Sequence, residues 1–200
     1  MIFNIWFILM NRIGIFGGTF NPIHIGHLAI AQMAQEQMHL DRVIFVPSNI
    51  PPHKKGPYIL PALHRYRMVR LAIRGNSSFA ISDFEIKRGK KSYTIDTIGY
   101  FKKRFPPMAK LFFIVGADTL PHLKDWRYIE DVVKIVKFIV VNRPGYKKIS
   151  IKFNYHFVAM PGIDLSSTIL RRRIARAKTI RYYVPDNVFR YIEKNKLFKK

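Results

Sequence analysis

The sequence predicts a doubly wound α/β fold, in which helices cover both faces of a parallel β-sheet. Short runs that are apolar at nearly every position alternate along the chain with segments whose apolar residues recur at helical spacing. Strands buried on both faces are typical of parallel sheets, and the intervening helices supply the crossovers that such sheets need. No internal repeat or low-complexity linker interrupts the alternation. We therefore expect one domain over 10–200, with a small C-terminal helical subdomain at about 166–200.

The predicted strands are β-branched or aromatic runs that stop at glycine, proline or a polar turn. The most apolar of them are RIGIF at 12–16, RVIFVPS at 42–48 and KLFFIVGAD at 110–118. Further strands are predicted at 79–89, 135–145 and 156–162. Ligands bind beyond the carboxyl ends of the strands in this fold class, so the residues that follow each strand are the first candidates for a site.

The predicted helices fill the segments between the strands. Gly75 and the Pro106-Pro107 pair are stop signals for two of them. The segment 49–61 is a proline-rich, basic loop without periodicity. The helices are expected at 28–38, 62–75, 94–105, 126–134, 166–177 and 185–198.

The formal net charge of +23 is extreme for 200 residues and would attract polyanions such as nucleotides, RNA or anionic lipid. Between residues 171 and 200, eleven lysines and arginines face two acids. A solvated basic surface explains this excess most simply, and a dedicated RNA- or membrane-binding protein is the alternative. RNA readers typically show aromatic stacking platforms or known modules, and the sequence has neither.

The chain contains no cysteine, which excludes disulfides and thiolate chemistry and fits a cytoplasmic location. The first nine residues form an apolar extension ahead of Met10, which we interpret as a mis-assigned start. The extension lacks a basic n-region and is shorter than the roughly 20 residues that cross a bilayer. A membrane anchor is the alternative for this extension. No other window is long and apolar enough to span, so we expect no membrane partner.

The segment GGTFNPIHIGH at 17–27 contains adjacent glycines, a threonine, a proline and two histidines, more functional groups than a simple strand–helix connection requires. Gly17 and Gly18 would let the backbone turn and approach a ligand closely, and the amides at the following helix start can hold phosphate oxygens. His24 and His27 are three residues apart, which places both imidazoles on one helix face. A Walker loop and a G-x-G-x-x-G fingerprint are excluded. Metal binding by the two histidines is an alternative, but no third ligand lies nearby in the sequence.

A second polar cluster begins the helix predicted after residue 162. Ser166, Ser167 and Thr168 stand where an N-cap belongs, and their hydroxyls and free amides can bind an anion. Arg171, one turn further on, can aim its guanidinium at the same anion. An ordinary N-cap followed by a basic solvated helix is the alternative.

The two clusters together resemble the nucleotidyltransferase superfamily, with its G-G-T/S-F-[DN]-P-x-H-x-G-H and [IL]-S-S-T-x-x-R signatures. Within it the chain is most similar to bacterial nicotinate mononucleotide adenylyltransferases. That similarity rests on VPSNIPPHK at 46–54, SYTIDTI at 92–98, FIVGADTLPHLKDW at 113–126 and VVNRPGY at 140–146. It covers the chain from about residue 12 to its end and implies a Rossmann-like fold.

The resemblance implies an enzyme that joins nicotinate mononucleotide to ATP, giving nicotinate adenine dinucleotide and pyrophosphate, a step of NAD biosynthesis. It assigns catalytic roles to His24, His27 and Arg171. It implies Mg²⁺ held mainly through the ATP phosphates, without a protein metal site. A homo-oligomer is compatible with it, and no specific nucleic-acid partner is expected. The implied ATP-binding residues are Gly17, Gly18, Thr19, Phe20, Gly116, Asp118, Ser167 and Thr168, and the implied mononucleotide-binding residues are Asn49, His53, Lys54, Thr94 and Trp126.

Two enzyme classes remain as rivals at this point. Phosphopantetheine adenylyltransferases share the superfamily signatures, but they usually carry threonine at the position of His24 and lack the GADT…W stretch. Class I aminoacyl-tRNA synthetases share the His-Ile-Gly-His tetrad, but they need a longer chain and a lysine-rich second signature.

Overall fold

The structure, a computed structural model, describes residues 11–52, 58–142 and 152–199. The apolar extension at 1–9, His53 and Lys54 lie outside these described residues. Within these described ranges, six strands form one sheet with the order β3-β2-β1-β4-β5-β6, and every neighbouring pair is parallel. The strands are β1 (Arg12–Gly18), β2 (Arg42–Pro47), β3 (Phe79–Ile81), β4 (Lys110–Gly116), β5 (Lys137–Val141) and β6 (Tyr155–Val158).

Helices connect the strands in the order that the sequence predicts. The α-helices are α1 (Ile25–Gln37), α2 (Ala62–Ala72), α3 (Phe84–Arg88), α4 (Thr94–Arg104), α5 (Ile129–Ile135), α6 (Ser167–Ala175) and α7 (Asp186–Lys194). Two 3₁₀ segments, Ala117–Asp125 and Arg181–Tyr183, precede α5 and α7. The predicted α/β fold with a parallel sheet is confirmed.

Two hydrophobic clusters cover the two faces of the sheet. One contains buried residues of β1 such as Phe16 together with Leu170 of α6 and Val188 of α7. The other contains Ile13 and Ile15 of β1 together with Phe101 of α4 and Val132 of α5. Alternate residues of one strand thus serve opposite faces, as the period of two in a strand requires. The two C-terminal helices extend the first cluster.

The segment 79–89 differs from the predicted single strand. Only Phe79–Ile81 pairs in the sheet, and Phe84–Arg88 forms a short helix. The Ser82 hydroxyl accepts a hydrogen bond from the Phe84 N–H at 3.3 Å, and Gly89 ends the helix at φ +70°. Asp83 is the N-cap residue, Ser82 binds the first helical N–H, and Gly89 supplies the left-handed end of the helix.

Other boundaries shift by a few residues. The strand that was expected to reach residue 118 ends at Gly116, so that Asp118 lies in the following 3₁₀ segment. Trp126 follows that segment instead of beginning a helix, because α5 starts at Ile129. Among the described residues, no helix combines the length and apolarity that a bilayer crossing requires.

Candidate active site

A cavity of about 750 Å³ opens at the carboxyl end of the sheet, where the strand order reverses between β1 and β4. Gly17 and Gly18 at the end of β1, Ser48 after β2 and Gly116 at the end of β4 all line it. This is the topological switch point at which doubly wound sheets bind ligands. The cavity is large enough for a nucleotide-sized molecule.

Gly17 and Gly18 leave room for neighbouring side chains at the end of β1, and the chain turns only after them, at Phe20. Gly17 and Gly18 are the last residues of β1, and a Cβ atom on Gly18 would lie 2.8 Å from the Phe20 ring. Phe20 itself adopts the left-handed conformation, at φ +47°, and the Asn21–Pro22 peptide is cis. The predicted tight turn at the glycines is therefore wrong in its position. The lack of side chains lets the Phe20 ring fold back over the strand end.

The two histidines lie together at the start of α1, as their spacing predicts. His24 is the N-cap residue and is 1% exposed, and its ring centroid lies 3.7 Å from that of His27. The Nδ1 atom of His27 accepts a hydrogen bond from the His24 backbone N–H at 3.3 Å. A neutral imidazole that accepts at Nδ1 carries its proton on Nε2. This tautomer makes His27 a hydrogen-bond donor at the cavity.

The position of the His24 ring explains why residue 26, between the two histidines, is a glycine. A Cβ atom at this position would lie 3.1 Å from Nδ1 of His24 and 3.2 Å from its Cε1. Such contacts are tighter than ordinary packing, and the buried His24 ring has little room to move. The glycine thus allows the His24 ring to fold over the first turn of α1.

The second signature meets the first across about 150 positions of sequence. Arg171 donates a hydrogen bond from Nη1 to the Asn21 carbonyl at 2.9 Å, and the Ser167 hydroxyl donates to the Pro22 carbonyl at 2.8 Å. Arg171 also donates from Nη2 to the Thr168 hydroxyl at 3.1 Å. Ser166 is the N-cap and accepts from the Ile169 N–H at 3.3 Å, as predicted. The start of α6 and the β1–α1 loop therefore form one wall of the cavity.

Trp126 and Thr94 line the part of the cavity that α4 and the 3₁₀ segment border. The indole packs edge-on against Phe113 at 5.7 Å and Phe138 at 6.1 Å between ring centroids. Trp126 is thus both a core residue and a cavity residue. Thr94 is the first residue of α4, so its backbone N–H is one of the helix-terminal amides without an intrahelical acceptor.

Of the predicted site residues within the described chain, all line the cavity except Asn49. The Asn49 amide group points toward the Lys90 carbonyl at 3.4 Å, and its backbone N–H donates to the Ser92 hydroxyl at 2.8 Å. Its neighbour Ser48 reaches the cavity instead, and the Ser48 hydroxyl has no hydrogen-bond partner among the described residues. Both residues follow β2, which ends at Pro47, so no strand periodicity predicts which of the two side chains faces the cavity.

The sequence interpretation missed three charged residues at or beside the cavity. Arg127 lines it and stacks on the rings of Tyr93 and Tyr128, with the guanidinium carbon 4.9 Å and 4.8 Å from their centroids. Glu85 lines it as a carboxylate that is only 6% exposed. Arg65 lies beside it, 1% exposed. The position of Arg127 directly after Trp126 is the available signal, whereas Glu85 lies in a segment predicted as a strand and Arg65 in a segment predicted only as a helix.

Burial shifts the pKa values of these groups in directions that follow from desolvation. It lowers the pKa of Arg65 to about 10, opposed by the charge of Glu85. It raises the pKa of Glu85, opposed by hydrogen bonds from Ser92 and Thr97. It also lowers the pKa of Arg171, as does the neighbouring Arg172. All three groups therefore carry an electrostatic cost of burial. An anionic ligand in the cavity would relieve this cost for Arg171, which lines the cavity.

The arrangement can bind a polyanion and stabilise charge that develops on it. Its donors are the amides at the starts of α1 and α6, the His27 imidazole, the Thr168 hydroxyl and the Arg171 guanidinium. A nucleophilic cysteine is absent from the chain, and no group of three or more His, Cys, Asp or Glu residues in the described ranges could hold a metal ion. Positioned donors without an obvious nucleophile are typical of phosphoryl and nucleotidyl transfer.

Comparisons with known proteins agree with this chemistry. The cytidylyltransferase-like family model matches residues 15–173. A nicotinate-nucleotide adenylyltransferase of Bacillus subtilis is 40% identical over 190 residues, which cover 95% of this chain and 100% of that protein. A probable nicotinate-nucleotide adenylyltransferase of Oceanobacillus iheyensis is 42% identical over 94% of this chain and 97% of its own length.

A solved structure shares the fold. The nicotinic acid mononucleotide adenylyltransferase of Plasmodium falciparum, complexed with NaAD, superposes with a TM-score of 0.81 at 22% identity. That alignment covers 94% of this chain and 97% of the Plasmodium chain. The family model and the relatives at 40% identity or more cover most of the chain. This chain therefore belongs to the nicotinate-nucleotide adenylyltransferases of the cytidylyltransferase-like family.

Proposed function

We propose that the cavity joins nicotinate mononucleotide to ATP in NAD biosynthesis, with nicotinate adenine dinucleotide and pyrophosphate as the products. The observation that carries this proposal is the hydrogen-bonded junction of the two signatures. Arg171 and Ser167 bind the carbonyls of Asn21 and Pro22, which brings the anion-binding starts of α1 and α6 to one cavity. The cysteine-free composition supports a cytoplasmic location as part of the same proposal.

In this proposal ATP occupies the part of the cavity between the two helix starts. The residues of the glycine-rich loop, Gly17 to Phe20, approach its phosphates with their backbone. His24 and His27 hold the α-phosphate region, and Thr168 and Arg171 hold the β- and γ-phosphates that leave. Gly116 and Asp118 meet the adenosine, with the Asp118 carboxylate accepting hydrogen bonds from ribose hydroxyls.

The mononucleotide occupies the part lined by Trp126, Thr94 and Arg127. The indole of Trp126 stacks on the pyridine ring. The helix-terminal amide of Thr94 and the guanidinium of Arg127 favour a carboxylate substituent over a neutral carboxamide. Asn49, His53 and Lys54 belong to the segment that covers this substrate, and the Ser48 hydroxyl supplies a donor at its base.

The reaction in this proposal needs no covalent intermediate. An oxygen of the mononucleotide phosphate attacks the α-phosphorus of ATP, the bond from that phosphorus to the bridging oxygen breaks, and its electron pair leaves with pyrophosphate. A phosphate monoester is already anionic near neutral pH, so no protein base is required. His27 Nε2–H and Arg171 stabilise the charge that builds on the phosphates, and the cavity walls hold the two reactants in line.

Magnesium fits this site as an ion held chiefly through the substrate. The described residues that line the cavity include two carboxylates, Asp118 and Glu85, among imidazoles, hydroxyls and arginines. Mg²⁺ favours oxygen ligands and keeps several waters in its coordination shell. The triphosphate oxygens and water would therefore supply most of its ligands, and the protein would supply few. When bound, the ion would neutralise charge on the triphosphate and the leaving pyrophosphate.

The direct test is pyrophosphate release from ATP and Mg²⁺ with three acceptors: nicotinate mononucleotide, nicotinamide mononucleotide and phosphopantetheine. Fast release with the nicotinate compound alone would support both the reaction and the acid preference. Comparable release with both pyridine nucleotides would keep the reaction but remove the selectivity. Release with phosphopantetheine alone would overturn the proposal. Failure of all three acceptors to support release would overturn it as well.

A further inference from the structure

Glu85 is an unexpected side chain in a cavity that takes two anionic substrates. It lies on the short helix α3, is 6% exposed, and lines the same cavity as Thr94 and Trp126. A buried carboxylate there repels phosphate and costs desolvation, so it needs a compensating role. The proposed reaction assigns it none, because the phosphate monoester needs no base.

The hydrogen bonds of Glu85 connect segments that are distant in sequence. The Thr97 hydroxyl, inside α4, donates to Oε1 of Glu85. The Ser92 side chain, just before α4, faces the same carboxylate as a second hydrogen-bonding group. Ser92 in turn accepts from the Asn49 backbone N–H at 2.8 Å, after strand β2. One carboxylate thus links α3, the start of α4 and the loop that follows β2.

The charges around Glu85 reinforce this arrangement. Arg88, on α3 itself, and Arg65, on α2, favour the ionised carboxylate, and Asp96 on α4 opposes it. Arg88 also forms an ion pair with Asp96 at 2.7 Å between Nη2 and Oδ2. Two contacts therefore join α3 to α4. The Glu85–Thr97 hydrogen bond is buried, and the Arg88–Asp96 ion pair is more exposed.

We propose that Glu85 is a positioning residue for the mononucleotide half of the cavity. Its carboxylate fixes Ser92 and the first turn of α4 against the loop after β2, so that Tyr93 and Thr94 present a fixed surface beside Trp126. The proposal rests on the proposed function. It predicts an effect confined to one substrate, because the ATP half is built from the β1–α1 loop and α6, which Glu85 does not touch in the hydrogen bonds described.

Three variants test the proposal: Glu85→Ala, Glu85→Gln and Thr97→Val. We expect Glu85→Ala to raise the KM for nicotinate mononucleotide by roughly tenfold or more, the usual effect of losing a hydrogen-bonded charged group. Glu85→Gln keeps an acceptor oxygen and should recover part of that loss. Thr97→Val removes one donor to the carboxylate at a residue outside the cavity lining, and it should shift the same KM by a smaller factor. The KM for ATP should change by less than about twofold in all three.

The matched control is Glu130→Gln, which removes an exposed carboxylate that pairs with Lys152 and is not part of the cavity lining. Thermal unfolding midpoints of all variants show whether each one folds, and calorimetric binding of the mononucleotide without ATP gives a readout independent of turnover. Equal increases in both KM values, or unchanged mononucleotide binding, would overturn the positioning role. If Thr97→Val binds normally while Glu85→Gln does not, Glu85 contacts the substrate directly and the proposal is wrong. Lack of turnover by the wild-type protein would instead overturn the proposed function, and the inference with it.

Discussion

His27 is the side chain that the geometry best prepares for charge stabilisation. Its Nδ1 is engaged by the His24 N–H, which keeps the proton on Nε2. We expect His27→Ala to lower kcat by about a hundredfold or more, since one preorganised donor to a developing charge is typically worth that much. Pyrophosphate release at saturating ATP and mononucleotide measures the effect.

His122→Ala is the matched control for this prediction. His122 is exposed on the 3₁₀ segment and does not line the cavity, so its loss should leave kcat unchanged. A His27→Ala variant with wild-type kcat would remove His27 from the catalytic role. A variant that raised KM alone would assign it to substrate binding instead.

Trp126 combines a packing role with the proposed stacking role, and the two can be separated. Trp126→Ala should raise the KM for the mononucleotide with little change in the KM for ATP, because the pyridine ring loses its stacking partner. Trp126→Phe keeps a flat face and the contacts to Phe113 and Phe138, so it should retain much of the mononucleotide affinity. Steady-state kinetics with each substrate varied in turn decide the question, and an increase restricted to the KM for ATP would contradict the assignment.

Arg65 shows how loops rather than helices and strands shape the cavity. Its guanidinium donates to the carbonyls of Leu60, Thr19 and Asn49, each at 2.9 Å. The Thr19 carbonyl belongs to the glycine-rich loop, and the Asn49 and Leu60 carbonyls belong to the two ends of the proline-rich loop at 49–61. A single buried side chain on α2 therefore joins the glycine-rich loop to both ends of the proline-rich loop.

Replacing Arg65 by methionine should destabilise the whole domain. Three partly buried carbonyls would lose their donor, and we expect the free energy of unfolding to fall by about 2–5 kcal/mol. Urea unfolding measures the change, with Arg67→Met on the exposed face of the same helix as the control. If the two variants lose equal stability, the effect comes from helix α2 in general and the role of Arg65 as a connector is wrong.

The sequence predicts helices and strands well where proline or glycine marks their ends. It fails where contacts distant in sequence determine the burial or direction of a side chain. The helix predicted at 94–105 is confirmed at Thr94–Arg104, because Pro106 and Pro107 end it. The strand predicted at 79–89 is confirmed only at Phe79–Ile81, because the rest of the segment forms a short helix that Gly89 ends. The burial of Arg65 and the outward side chain of Asn49 depend on carbonyls up to 46 residues away, which no local pattern reveals.

The charge of the whole molecule gives the cavity a favourable surrounding field. A formal charge of +23 raises the local concentration of anionic nucleotides around the protein, independently of any contact within the cavity. This net value already counts the carboxylates of exposed ion pairs such as Lys87–Asp83 and Lys134–Asp131. The basic C-terminal helices, which could be interpreted as an RNA-binding surface, fit equally well as part of this field.

Salt should therefore lower kcat/KM while leaving kcat nearly unchanged. Raising the ionic strength from about 0.05 M to about 0.5 M shortens the Debye length severalfold, and we expect kcat/KM for both substrates to fall by roughly tenfold. The double variant Lys194→Glu and Lys196→Glu, at exposed positions of the last helix and its end, removes two units of charge per change and lowers the net charge from +23 to +19. This variant should be slower than wild type at low salt and equal to it at high salt, because screening removes the difference. If the variant matches wild type at every ionic strength but loses retention on an RNA column, the C-terminal charge serves polyanion binding and does not assist the reaction.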